Sequence, residues 1–271
     1  MIRSAVTIAL VPQLKTGPWI YWYHLEESMR KAAALGFDAI ELFTASGHAV
    51  QPDTLKILLE RYNLKLAAVG TGAGKVINGL TLTDQHSDIR KHAVAFIKEM
   101  MEFGGRFGAP AIIGSMQGNS LPGTEHDHSM ELLAEGMHTL DQHAGSLGVK
   151  LIYEPLNRYE TNLINTLGDG AAFIGRYKFK HIQLLADLFH MNIEEADLKK
   201  SLAENMLHIG HVHFADSNRR PMGFGHTQMK DIANTLITSG YNGYVSAEAF
   251  PWPDPDQAAL QTIRSFHQYF K

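Results

Sequence analysis

Eight short apolar runs, separated by longer stretches with helical periodicity, constrain this chain more than any other feature. The runs are Ser4–Leu10, Ala39–Phe43, Lys65–Val69, Ala111–Gly114, Lys150–Glu154, Gln183–Asp187, His211–Ala215 and Tyr244–Glu248. Runs this short and this apolar suit strands buried in a parallel sheet, and parallel neighbours need a helical crossover between them. The intervening segments supply it. One helix begins near His24 and ends at Leu35-Gly36; others end at Phe107-Gly108 after starting near Asp88, at Leu147-Gly148 after Met130, and at Ser239-Gly240 after Gln228. A glycine just past a helix end suits the left-handed conformation that closes the last turn. The unbroken βα alternation predicts an α/β fold, a closed (β/α)8 barrel, with residues 1–271 forming one domain.

A doubly wound open sheet is the competing architecture, and its glycine fingerprint belongs between the first strand and the first helix. That position reads Val11-Pro12-Gln13-Leu14. The glycine-rich piece Gly70-Thr71-Gly72-Ala73-Gly74-Lys75 follows the third strand and fits neither nucleotide pattern, because Lys75 stands where a third glycine is needed and Val76 where a P-loop needs Ser or Thr. It is expected to be a tight loop at the active site.

Composition narrows the partners. With 24 Lys+Arg against 28 Asp+Glu the formal charge is -4, so no basic field exists to gather a nucleic acid backbone. No cysteine is present, which removes disulfides, thiolate ligands and a cysteine nucleophile, and leaves only oxygen and nitrogen to hold a metal. The apolar run Ala5 to Val11 lacks a small-residue cleavage site and reads as a buried first strand rather than a signal peptide. No stretch reaches the roughly 18 apolar residues of a membrane span. The expectation is a cytoplasmic protein without membrane or nucleic acid partners.

Four consecutive strands of the second half each end in a possible metal ligand: Glu154, Asp187, His213 and Glu248. Their separations are 33 residues (154 to 187), 26 (187 to 213) and 35 (213 to 248), each a single βα repeat. In a barrel the C-terminal ends of neighbouring strands surround one mouth, so these four converge. A charged group ending an apolar strand is costly to bury unless it is paired or bound to metal, and four in succession point to metal. Three carboxylates and one imidazole suit Mn²⁺, Mg²⁺ or Co²⁺ better than a structural zinc. Such a site polarises a carbonyl and its neighbouring hydroxyl, the requirement of enediolate chemistry.

Three motifs make a resemblance specific. Glu154-Pro155-Leu156-Asn157-Arg158-Tyr159-Glu160-Thr161, Ala186-Asp187-Leu188-Phe189-His190-Met191 and His211-Val212-His213-Phe214-Ala215-Asp216-Ser217-Asn218-Arg219 resemble the ketose 3-epimerases. These are the tagatose/psicose 3-epimerase group of the xylose-isomerase-like TIM barrels. The likeness is strongest from about Lys150 to Phe250, with weaker echoes at Ala39-Ile40-Glu41 and Ala67–Gly72. It implies one divalent ion, Mn²⁺ first, held by Glu154, Asp187, His213 and Glu248, with Glu154 and Glu248 also serving as the acid–base pair. It further implies that Glu160, His190 and Arg219 bind the oxygens of a small keto sugar, and that the chain forms a homodimer or homotetramer. The reaction implied is inversion of carbon 3 of a free ketose or keto sugar acid through a cis-enediolate.

Other readings stay open at this stage. An aldose–ketose isomerase shares the metal and the enediolate, and an inosose-dehydratase-like lyase would expel a hydroxyl from the same enolate. An endonuclease-type barrel calls for a richer His/Asp cluster and a basic surface, and a sugar-binding barrel has no need of two glutamates at a metal. His211, on the same strand face as His213, is expected to support a ligand rather than to be a fifth one. His126-Asp127-His128 is read as a surface loop capping the next helix. The aromatic loop Trp19-Ile20-Tyr21-Trp22-Tyr23 should overhang the mouth, either against the apolar face of a sugar or in a subunit contact.

Overall fold

The barrel closes. In a computed structural model, which describes residues 1–121, 123 and 125–271, nine parallel strands form one sheet whose two ends meet. They are β1 Arg3–Leu10, β2 Tyr21–Trp22, β3 Ala39–Thr44, β4 Lys65–Gly70, β5 Ala111–Ile113, β6 Leu151–Tyr153, β7 Ile182–Asp187, β8 Ile209–His213 and β9 Tyr244–Ala247. Each strand pairs with the next in sequence from β3 to β9, and β1 pairs with both β3 and β9. Eight of the nine are the expected barrel staves.

The additional strand, β2, lies within the aromatic segment Trp19–Tyr23, which the sequence reads as a loop. Along one edge β1 pairs first with β9, from Arg3↔Tyr244 to Val6↔Ala247, and then with β2, at Ile8↔Tyr21 and Ala9↔Trp22. The short β2 thus occupies the stretch of edge that β9 leaves open above Ala247. Trp19, just before it, is buried against Phe43 with ring centroids 4.3 Å apart and meets Trp22 edge-on at 5.2 Å.

Crossovers are made by α1 Leu25–Leu35, α2 Pro52–Tyr62, α4 Ser87–Gly105, α5 His126–Leu147, α6 Leu167–Tyr177, α8 Leu198–Asn205 and α9 Met229–Thr238, with α10 Pro255–Phe270 after the last strand and α3 Ala73–Asn78 and α7 Leu188–Glu194 as short helices above strand ends. Gly36 and Gly148 cap α1 and α5 in the left-handed conformation at φ 85° and 67°. Gly108 and Gly240 also have positive φ, but α4 and α9 stop before them, at Gly105 and Thr238. Two further corrections concern loops. α5 begins at His126 rather than after Met130, so His126-Asp127-His128 is an exposed first helical turn. The glycine-rich piece is a loop only through Gly72, since Ala73 already starts α3. β8 also begins two residues earlier than the sequence suggests, and Ala215 instead makes an isolated antiparallel bridge with Pro221. Among the described residues no helix is long and apolar enough to cross a membrane.

Side chains alternate between two apolar layers, as strand geometry requires. Val6, Ile8, Ile40, Leu42, Leu151, Tyr153, Leu184 and Val212 pack into the large core shared with the helices. Ala68, Ile112, Ile152 and Leu185 form a separate fully buried cluster contributed by four successive strands, β4 to β7. Two residues further along the chain stand Glu154, just past the end of β6, and Asp187, at the end of β7, on the same side as Ile152 and Leu185. This cluster is the floor beneath the polar mouth, and Ile152→Ala removes part of it. We expect this substitution to lower unfolding stability by about 2–5 kcal/mol, read from urea unfolding; a loss well below about 1 kcal/mol would show that the floor collapses around the missing carbons.

Candidate metal centre

Glu154 follows β6 by one residue, Asp187 and His213 end β7 and β8, and Glu248 follows β9 by one residue. The β7–β8 register sets Asp187 directly beside His213. His213 is the hub. Its Nδ1 lies 3.3 Å from Asp187 Oδ2, 3.4 Å from Glu154 Oε1 and 3.6 Å from Glu248 Oε2. Ligand atoms from all four residues fall within 4.8 Å of one another, so the set expected from sequence is brought together.

The other ring nitrogen of His213 faces into the barrel. Nε2 is 3.1 Å from Glu41 Oε1, and Glu41 Oε2 is 2.7 Å from His211 Nε2. With the Nε2 proton given to Glu41, Nδ1 is left to meet the carboxylates, the arrangement by which a carboxylate orients a metal-binding imidazole. His211 therefore supports Glu41, one step further from His213 than the sequence alone suggests. Glu41 is the residue that sequence reasoning left without a role. Its signal was the weak echo at Ala39-Ile40-Glu41: an acid on an inward strand position, with its partners 170 and 172 residues away.

Asp187 has two tasks. Its Oδ1 accepts the backbone N–H of Phe189 at 2.7 Å and of His190 at 3.4 Å, capping α7, while Oδ2 faces His213. Burial alone would raise its pKa, but His190, His213 and Arg219 outweigh burial and hold the carboxyl well below the usual range. Glu154 behaves oppositely. Burial, reinforced by Glu248 and opposed by His213 and His190, pushes it up to about 7. Glu41 is driven down because two imidazoles outweigh its burial, and His213 is raised because Glu41, Glu248 and the other acids do the same.

The three residues expected to bind substrate oxygens border the same place. Arg219 Nη2 reaches Glu248 Oε2 at 2.6 Å and Nη1 lies 3.4 Å from Glu160 Oε1, with the guanidinium 4.8 Å over the Phe189 ring. Asp216, buried at the foot of that loop, accepts the N–H groups of Ser217, Gly223 and Thr227, which fixes the turn bearing Arg219 at φ 57°. The Asn157 side-chain amide donates to Glu160 Oε1 at 3.1 Å, and that amide nitrogen and the Asn157 backbone N–H both reach His190 Nδ1. A cavity of about 220 Å³ opens at the centre, lined by Glu154, Glu160, His213, Arg219 and Glu248 together with the rings of Trp19 and Phe43.

A divalent cation fits these residues on two observations. Three carboxylates crowd one nitrogen where like charges would otherwise repel, and Glu154 Oε1 is buried without a hydrogen bond. The second cluster of potential ligands among the described residues, Glu41, His211 and His213, is already closed by its own hydrogen bonds. His126–His128 contributes to neither.

The chain is similar to several known sugar epimerases. The chain is 36% identical to a 3-dehydro-D-guloside 4-epimerase of Escherichia coli strain K12 over 138 residues, 51% of this chain and 53% of that protein. It is 29% identical to a D-psicose 3-epimerase of Ruminiclostridium cellulolyticum over 246 residues, 85% and 78% of the two chains. The crystal structure of an apo 3-keto-D-glucoside 4-epimerase from E. coli matches with a TM-score of 0.78 at 25% identity, covering 96% of this chain and 98% of that one. A family model described as a xylose isomerase-like TIM barrel matches residues 29–266, and the chain belongs to that family.

Proposed function

We propose that this chain is a divalent-metal-dependent sugar epimerase that inverts a hydroxyl-bearing carbon beside a ketone by removing and returning its proton. The observation that carries this reading is the pair of glutamates, Glu154 and Glu248, gathered around His213 at one cavity. Glu154, Asp187, His213 and Glu248 would hold the ion, with Mn²⁺ first and Mg²⁺ or Co²⁺ as alternatives for an oxygen-rich set. When bound, it supplies Lewis-acid polarisation of the ketone and the neighbouring hydroxyl.

The chain's own groups do the rest. Glu154 and Glu248 come from strands β6 and β9, which are not neighbours in the barrel, and each serves one face of the reacting carbon: one takes the proton, the other returns one. Arg219 and His190 stabilise the oxygen on which negative charge develops, and Glu160 holds a neighbouring hydroxyl. Trp19 and Phe43 give the cavity an apolar wall and exclude water from the carbanion-like centre.

Two substrate classes contain the required unit. In a free ketose or keto sugar acid the ketone at carbon 2 activates carbon 3, the reaction favoured here; in a 3-keto glycoside the ketone at carbon 3 activates carbon 4. The second is kept because two matched proteins bear names of that kind. A homodimer or homotetramer in the cytoplasm belongs to the same reading.

Solvent deuterium incorporation tests it. Metal-loaded protein in D₂O should place deuterium at carbon 3 of a ketose, or carbon 4 of a 3-keto glycoside, with appearance of the epimer by NMR. Glu248→Gln should slow this on the order of 10²–10⁴-fold. Label at carbon 1 or 2 with aldose formation would make the protein an isomerase, and loss of a hydroxyl would make it a lyase.

The metal-free pKa directions give the pH dependence. His213, held protonated by its acids, must lose a proton to offer Nδ1; below about pH 7, Glu154 must lose one as well. Proton release on Mn²⁺ binding should therefore rise from about one towards about two as pH falls through this value, with affinity weakening more steeply on the acid side. Titration calorimetry in buffers of different ionisation heat measures the release; a pH-independent affinity would contradict the ligand set.

Gly114 tests the geometry. A Cβ there would stand 2.5 Å from Glu154 Oε2. Gly114→Ala should weaken Mn²⁺ binding roughly 10–100-fold, the cost usual for disturbing a ligand's support, while circular dichroism stays that of the parent.

A further inference from the structure

His190 and His213 meet the same group of carboxylates with opposite chemistry. His213 directs Nε2 to Glu41 and turns Nδ1 towards three carboxylates. His190 is arranged the other way round. Its Nδ1 lies 3.2 Å from the backbone N–H of Asn157 and 2.7 Å from that residue's side-chain amide nitrogen. A ring nitrogen that receives two N–H donors carries no proton, so the imidazole proton sits on Nε2.

The amide of Asn157 is oriented by its other partners. Its Nδ2 also donates to Glu160 Oε1 at 3.1 Å, and its Oδ1 accepts the N–H of Tyr159 at 3.0 Å. A flipped amide would set oxygen against a carboxylate and NH₂ against an N–H, so the hydrogen-bond network allows one orientation. Meanwhile His190 Nε2 is buried without a hydrogen-bond partner, 3.7 Å from Asp187 Oδ2 and 3.9 Å from Glu154 Oε1. With a lone pair there, His190 would be placed to join the metal ligands. With a proton there, it is a donor aimed at the place where these carboxylates meet.

We propose that Asn157 is a positioning residue that fixes the tautomer of His190, keeping this imidazole out of the ligand set and presenting Nε2–H to a substrate oxygen. The tautomer stands on the geometry alone; the contrast with a ligand, and the substrate oxygen, rest on the function proposed above. Glu41 and Asn157 thereby set two nearby histidines to opposite roles, one offering a lone pair and the other a proton.

The test is ¹⁵N NMR of protein labelled at histidine, metal-free and Mg²⁺-loaded, with the His190 signals identified by their loss in His190→Gln. The parent should show an unprotonated Nδ1 and a protonated Nε2; a protonated Nδ1 overturns the proposal. Asn157→Asp replaces the donor by an acceptor and should move the proton to Nδ1. Pulsed EPR of Mn²⁺-loaded samples should then count two imidazole ligands in place of one, with kcat lowered about 10–100-fold. An unchanged tautomer in Asn157→Asp overturns the proposal. Should that variant fail to fold, Asn157→Leu removes the side-chain donor alone and should give a mixture of tautomers, a single unchanged tautomer again overturning it. If the parent tautomer and its shift in the variant are as expected while the protein binds no metal and exchanges no substrate proton, the assignment to Asn157 holds and the metal-dependent function falls.

Discussion

Three carboxylates packed around one buried imidazole would not remain together without compensation, and the surrounding structure is organised to supply it. Two like charges 4 Å apart repel by about 4 kcal/mol even at the effective dielectric constant of a protein surface, and this group is deeper than that. The chain answers each acid differently. Asp187 stays ionised because its second oxygen caps α7 while His190, His213 and Arg219 surround it. Glu248 is held by Arg219 at 2.6 Å. Glu154, with an oxygen left unpartnered, is the acid whose affinity for a proton rises. A divalent cation would replace this set of partial answers by one, and for this reason the constellation reads as a metal centre rather than as a salt-bridge network.

Keeping the acids in place is the work of the barrel below and the loops above. The inward positions directly beneath are filled by Ala68, Ile112, Ile152 and Leu185, whose side chains offer the strand ends no hydrogen bond from below. Glu41 and His211 are the polar part of that interior, and they are satisfied by each other and by His213. Above the centre, Asp216 gathers backbone N–H groups from a turn that would otherwise be unsupported, and the same hydrogen bonds lower its pKa against the effect of burial. Arg219 depends on that turn for its direction. A change at Asp216 would therefore act on the cavity through Arg219, although Asp216 touches none of the reacting groups.

The convergence of the four side chains was legible in the sequence because two regularities coincide on them. Side chains alternate along a strand, and βα repeats recur at nearly constant spacing, so Glu154, Asp187, His213 and Glu248 could be placed without knowing any distance. Glu41 obeys the first rule but sits one repeat after the first strand, far from the ligands in sequence, and nothing local distinguishes it from any other acid. Tyr21-Trp22 is too short to show alternation; it pairs because β9 ends early, a fact of tertiary register. His126-Asp127-His128 reads as a polar loop because its helical character comes from the turns that follow. Asn157 lay in plain sight within a quoted motif, yet its meaning depends on His190, 33 residues away, and on which way an amide faces.

The same division of labour bears on what the cavity recognises. Its lining includes six ionisable residues, Glu41, Glu154, Glu160, His213, Arg219 and Glu248, and in the function proposed above they meet a short unit, a ketone and the hydroxyl-bearing carbon beside it. The lining also includes the Trp19 and Phe43 rings, with Gly70 and Gly72 close against Phe43, which supply shape and few hydrogen bonds. Selectivity for the reacting unit then comes from charge and hydrogen bonding, where a missing partner leaves a buried group unsatisfied, whereas selectivity for the rest of the sugar comes from fit, which discriminates weakly. An arrangement of this kind lets one catalytic centre serve sugars that differ in where the ketone lies along the chain, provided that the walls change around it. Those walls are loops and the first βα connection, the parts of a barrel whose alteration leaves the strand ends, and therefore the metal ligands, where they are.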